Sequence, residues 1–101
     1  MKACIFCDII AGRASRTLIY EDDKTVVIKD IYPQAPVHLL VIPKVHVVEF
    51  TDLTPQQITE LGVVVQTIIK RRRITNYRIH NRGGGAQEID HVHIHIMGSA
   101  S

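Results

Sequence analysis

The sequence predicts an α+β fold, a five-stranded antiparallel sheet with one long and one short helix. Three observations carry the prediction. β-Branched runs follow one another across short turns, a single capped amphipathic stretch is long enough to serve as a crossover, and the last apolar run alternates imidazole with aliphatic side chains at a period of two. Consecutive strands joined by short turns pair antiparallel, since parallel neighbours would each need a crossover. With 101 residues, 46% of them hydrophobic, the chain has the length of one domain, 1–101, and enough apolar residues for a modest core.

Ile5, Phe6, Ile9 and Ile10 form a helical stripe, and Gly12 is placed to end this short helix. Thr17 to Tyr20 and Thr25 to Asp30 read as a hairpin around the acidic turn Glu21-Asp22-Asp23-Lys24. Two prolines in Tyr32-Pro33-Gln34-Ala35-Pro36 interrupt the pattern, because each lacks a ladder donor. A third strand follows from Val37 to Ile42, and Pro43 is expected to stop it. Thr54-Pro55-Gln56-Gln57 starts the long helix, with threonine as N-cap, proline at the first position and glutamine three on. Ile58, Leu61, Val65 and Ile68 give that helix a buried face. Lys70-Arg71-Arg72-Arg73 falls at its C-terminal end, where the helix dipole favours positive charge. Tyr77 to His80 reads as the fourth strand, Asn81 to Gln87 as a glycine-rich loop, and Ile89 to Met97 as the fifth strand.

Twelve basic and ten acidic residues leave a formal charge of +2, too small a bias to argue for nucleic acid or a membrane surface as partner. Small or modestly charged partners fit better. No apolar stretch approaches the roughly 20 residues that span a bilayer, and the N-terminus lacks the pattern of a secretory signal. A soluble, cytoplasmic protein is expected.

The chemistry concentrates in His91-Val92-His93-Ile94-His95-Ile96-Met97. On a strand the three rings share one face, neighbours roughly 6.6 Å and the outer pair about 13 Å apart, so one metal could take two but hardly all three. A substrate laid along the strand suits that spacing better. A neutral imidazole is a nucleophile or base, and its protonated form an acid. Gly83-Gly84-Gly85 precedes the strand; such a triplet can turn its N–H groups toward an anion, although a plain hairpin loop has the same composition. Glycine amides beside histidines could supply a nucleophile, charge neutralisation and leaving-group protonation for phosphoryl transfer. The two cysteines, Cys4 and Cys7, fit half of a zinc site, a redox pair or two buried thiols.

His-Val-His-Ile-His-Ile-Met resembles the signature of the histidine-triad nucleotide hydrolases and transferases. Asp30 to Lys44 resembles that family's nucleoside-binding strand pair, and Asn81 with Gly84-Gly85-Ala86-Gln87-Glu88 its phosphate loop. The likeness runs from about Cys4 to Gly98 and is nearest to the branch of purine nucleotide-binding phosphoramidases. It implies the histidine-triad fold and a homodimer in which the long helix and fourth strand meet their copies across a two-fold axis.

By position, the resemblance makes His93 the nucleophile that attacks the α-phosphorus of a purine nucleoside 5′-phosphoramidate, forming a nucleotidyl-histidine that water hydrolyses. His95 becomes the proton donor to the leaving group and His38 a relay behind it, with the carbonyl of His91 fixing the His93 tautomer. Asp30 is implied as the ribose partner, and Phe6, Ile9 and Ile31 as the base pocket. Asn81, Gly85, Gln87 and Glu88 are implied beside the phosphate or leaving group, with Glu88, whose carboxylate is no obvious phosphate ligand, positioning the amine. Many relatives hold a structural zinc at positions that match Cys4, Cys7, His46 and His91, two thiolates and two imidazoles that close a tetrahedron, and no catalytic metal is implied. Three departures bear on this. Ala14-Ser15 stands where relatives carry Ile-Pro, the link from the long helix to Tyr77 is short and arginine-rich, and Gly98-Ser99-Ala100-Ser101 stands where relatives continue into a tail that crosses to the partner. The competing readings are a non-catalytic nucleotide-binding scaffold, a dinucleoside polyphosphate hydrolase, and a zinc hydrolase using the triad as ligands.

Overall fold

Val26, Val27, Ile28, Val41 and Ile42 are almost wholly excluded from solvent, so the central strands bury both faces and need cover on each side. The computed structural model describes residues 3–100. Its elements in order are α1 (Ile5–Ile10), β1 (Leu18–Glu21), β2 (Thr25–Lys29), β3 (Val37–Pro43), a 3-10 turn (Phe50–Asp52), α2 (Pro55–Arg71), β4 (Ile74–His80) and β5 (Ile94–Ala100). The strands form one sheet in the order β1-β2-β3-β5-β4, each neighbouring pair antiparallel. This is the predicted five-stranded architecture with one long and one short helix.

Alternation sorts the side chains between two layers. Val27, Leu39, Val41, Ile94 and Ile96 pack under α2 against Leu61, Val64, Val65 and Ile68. Val26, Ile28, Leu40 and Ile42 face the other way, against Phe6 and Ile9 of α1. The α2 start is as the sequence predicts: the Thr54 side chain accepts from the Gln57 N–H at 3.1 Å, and the Gln57 side chain accepts from the Thr54 N–H at 2.8 Å. Ile58 is a correction to the expected buried stripe. It stands 42% exposed, because it faces a groove beside Phe50 and Ile79 rather than the sheet. Among the described residues no helix is long and apolar enough to cross a membrane.

Three strands, β1 to β3, differ from expectation by a single residue at an end, and two differ by more. β4 begins at Ile74, not Tyr77. Arg73 takes a left-handed φ of 51°, which turns the chain back two residues after α2 and drops Ile74 into the core. Between Thr75 and Arg78 the β4–β5 register slips, a bulge in which Asn76, at φ 48°, adds one residue opposite Gly98. A Cβ on Gly98 would lie 2.7 Å from the Thr75 carbonyl oxygen, so only glycine fits there. The second large shift is β5, which spans Ile94–Ala100 rather than Ile89–Met97. His91 and His93 lie outside the ladder, since the Val92 N–H donates to Val47 O at 2.7 Å in the loop after β3. Beyond the end of β4 the Asn81 side chain takes over the ladder's role and donates to His93 O at 3.1 Å.

Candidate active site

Phe6 from α1, His38 from β3, His80 from β4, His95 from β5 and the extended run His91 to His93 converge on the sheet face opposite α2. Their hydrogen-bond partners settle where the protons sit. His93 Nδ1 donates to His91 O at 2.8 Å, which leaves Nε2 with its lone pair. His38 Nδ1 accepts the Gln34 N–H at 3.1 Å, so His38 carries its proton on Nε2. That proton points at His95 Nδ1, 2.9 Å away, with Asp30 Oδ2 a more distant acceptor at 3.4 Å. His95 therefore bears its proton on Nε2. This atom is buried and has no hydrogen-bond partner among the described residues. An orphaned donor beside an imidazole lone pair is an arrangement that a substrate acceptor would complete.

The electrostatics favour the neutral forms. Burial first, then the nearby rings of His93, His80 and His38, push the His95 pKa down from 6.5 to about 4, against a smaller opposing pull from Asp30. Burial also lowers that of His80, helped by Arg82 and Arg78.

The predicted site residues divide. Phe6 and Ile9 are buried, with the Phe6 ring edge-on to His93 at 5.0 Å between centroids. Ile31 is 61% exposed and forms no enclosed wall with them. Asp30 Oδ1 accepts the Tyr32 N–H at 2.8 Å, an Asx turn that fixes the carboxylate, while Oδ2 faces His38. The glycine loop is already hydrogen-bonded: Gly85 N–H donates to Gln87 Oε1 at 2.8 Å, and Gly84 N–H to the Glu49 carboxylate at 2.9 Å. Gln87 Nε2 also donates to Glu49, at 3.0 Å. Glu88 is exposed, paired with Arg82 at 3.2 Å, and lines a cavity beside Cys4 and His46. Sequence reasoning missed Glu49, whose loop position carries no local signal, and His80, whose ring lies parallel to His95 at 4.5 Å and 6° between planes. Only the β4–β5 register could have shown the latter.

Cys4, Cys7, His46 and His91 bring one ligand atom each within 4.8 Å of one another. His91 Nδ1 lies 3.5 Å from Cys4 Sγ and 3.6 Å from Cys7 Sγ, and His46 Nδ1 is 3.1 Å from Cys7 Sγ. The edge between sulfur and nitrogen in a tetrahedral zinc site is about 3.6 Å. His91 is fully buried and its Nε2 donates to Pro43 O at 2.7 Å, so the nitrogen facing the thiols is the unprotonated one that a metal requires. Donor set and tautomer both fit zinc. A second group, Asp30, His38 and His95, is equally close, but the Gln34 N–H already occupies His38 Nδ1 and keeps the proton on the nitrogen that would have to bind.

Residues 11–101 match the family model of the HIT domain. The chain is 42% identical to protein HitA of Neisseria gonorrhoeae, over 98% of both chains. Among solved structures it resembles a HIT family hydrolase from Legionella pneumophila, with TM-score 0.89, 30% identity and coverage of 98% of this chain and 95% of that one. It also resembles a zinc-bound histidine triad family protein from Mycobacterium smegmatis, with TM-score 0.89, 34% identity and coverage of 98% and 76%.

Proposed function

The chain belongs to the HIT domain family, and from that premise we propose that it hydrolyses purine nucleoside 5′-phosphoramidates through a nucleotidyl-histidine. The observation that carries the reading is the proton arrangement: a His93 Nε2 lone pair set by the His91 carbonyl, beside a buried His95 Nε2–H with no partner among the described residues. The hydrolase description of the Legionella relative supports the reaction class.

In this reading His93 Nε2 attacks the α-phosphorus and the P–N bond to the leaving amine breaks. The amine takes the proton of His95 Nε2 as it departs. The charge left on the His95–His38 pair faces the cationic nucleotidyl imidazole of His93. Water then attacks the adduct, its proton returns to His95, and His93 recovers its lone pair with the nucleoside monophosphate released. His38 holds His95 in the donating tautomer, and Asp30 stands close enough to orient both His38 and a ribose hydroxyl. Phe6 and Ile9 supply an apolar wall for the base. The Gly84 amide and Gln87, which hold the Glu49 carboxylate, would hold an anionic group in its place.

Cys4, Cys7, His46 and His91 would hold a structural zinc, which clamps α1 to the run before β5; the zinc-bound relative supports this. The thiols serve there as ligands rather than a disulfide, which suits a cytoplasmic protein. A homodimer is supported by an apolar groove along α2 and β4, about 590 Å³ in volume, whose lining includes Phe50, Ile58, Gly62 and Ile79.

The test is mass spectrometry of the acid-labile adduct after quenching with adenosine 5′-phosphoramidate. A nucleotidyl group on His93 is expected, and His93→Ala should lose both adduct and turnover while still binding adenosine monophosphate. Undiminished turnover in His93→Ala would refute the reading.

A further inference from the structure

We propose that His80 is a positioning residue for this reaction, a flat wall that sets the plane of the His95 ring; the inference rests on the hydrolase reading above. Among the described residues the His95 ring has a single hydrogen bond, from His38 to Nδ1. One bond fixes one corner of a ring but not its plane, and the Nε2–H vector lies in that plane. Two further rings bear on His95. His93 meets it at 4.9 Å and 50°, and His80 lies against it at 4.5 Å and 6°. The His80 face is therefore the surface to which His95 is parallel.

This stack is built by the backbone. Ile74 at the start of β4 packs under α2, as does Ile96, the partner of Ile79. An unbroken strand would place residues 74 and 80 on the same face. The extra residue of the bulge at Asn76 reverses the alternation, and so His80 emerges on the active-site face directly opposite His95. The His80 ring makes no hydrogen bond to another described residue. Its contact is the face of His95, consistent with a role in orientation rather than proton transfer.

The groups facing His80 are Arg78 and Arg82 from its own strand and loop, and His95, His93 and His38 from β5, the run before it and β3. The charges nearest the ring are cationic apart from Asp30 behind His38.

The experiment compares His80→Phe with His80→Leu, both large enough to fill the position, using adenosine 5′-phosphoramidate. Phenylalanine keeps the flat face, and leucine does not. Expected for His80→Leu is a fall in kcat of roughly 10-fold or more with KM within about twofold, since misplacing a reacting group costs rate more than binding. His80→Phe should keep kcat within about threefold of the parent. Melting temperatures identify any variant that is lost to folding, and adduct formation on His93 is read in each. Equal kcat in the two folded variants overturns the role of His80, while parental turnover and adduct leave the hydrolase reading standing. A parent that shows neither turnover nor adduct overturns both.

Discussion

His95 links the site to the stability of the fold. Its pKa is about 4 in the folded chain against an ordinary 6.5, so between these values the unfolded chain binds a proton that the folded chain does not. Stability is then complete above about pH 6.5, falls as the pH drops toward 4, and levels off below that. The shift corresponds to about 3 kcal/mol, and His80 moves in the same direction. Urea titrations between pH 7.5 and 4 should show this decline, and His95→Gln should flatten it. Much of the site was legible at this scale. A period of two put His91, His93 and His95 on one face, and the three rings do share it even though two of them lie outside the ladder. Ile31 lies exposed on the turn after β2, a position that its apolar character alone does not show. Glu49 and His80 could not be read, because each meets its partner only after distant segments have folded together.

Among the elements, α2 was the most legible, since its capping box is a local exchange of hydrogen bonds. β4 was the least. Its first residues follow an arginine with positive φ, and its bulge leaves no glycine or proline on its own strand. The glycine that permits the bulge is on the neighbouring strand, at Gly98. Gly98→Ala should destabilise the fold by about 1–3 kcal/mol, the range for overpacking, because the new methyl meets backbone that cannot turn aside. Thermal unfolding measures it. A parental melting temperature would show that the β4–β5 crossing is looser than the 2.7 Å approach to Thr75 O requires.

For the whole molecule, the proposed zinc and the proposed second copy each predict a measurable change. If zinc joins α1 to the run before β5, stripping the protein with a chelator should lower its melting temperature. Restoring zinc to 100 times its dissociation constant should recover about 2.7 kcal/mol, and Cys4→Ser should blunt the recovery. The surface proposed for the second copy is the groove on α2. Gly62 sits mid-helix with nothing within 4 Å of where a Cβ would be, a placement that costs about 1 kcal/mol relative to alanine in an isolated helix and that a second copy approaching closely would explain. If the groove seats a second copy, the parent should scatter light as a dimer and Ile58→Glu as a monomer, whereas a monomeric parent would refute the homodimer.

One peptide unit joins these levels. The side chain of His91 reaches the two thiols, and its carbonyl holds the Nδ1 proton of His93. An oxidant that welded Cys4 to Cys7 would thus act on the proposed nucleophile from a distance: by pulling residue 91 out of place it would free His93 to switch tautomer, and the proposed reaction would stop with every reacting group still intact.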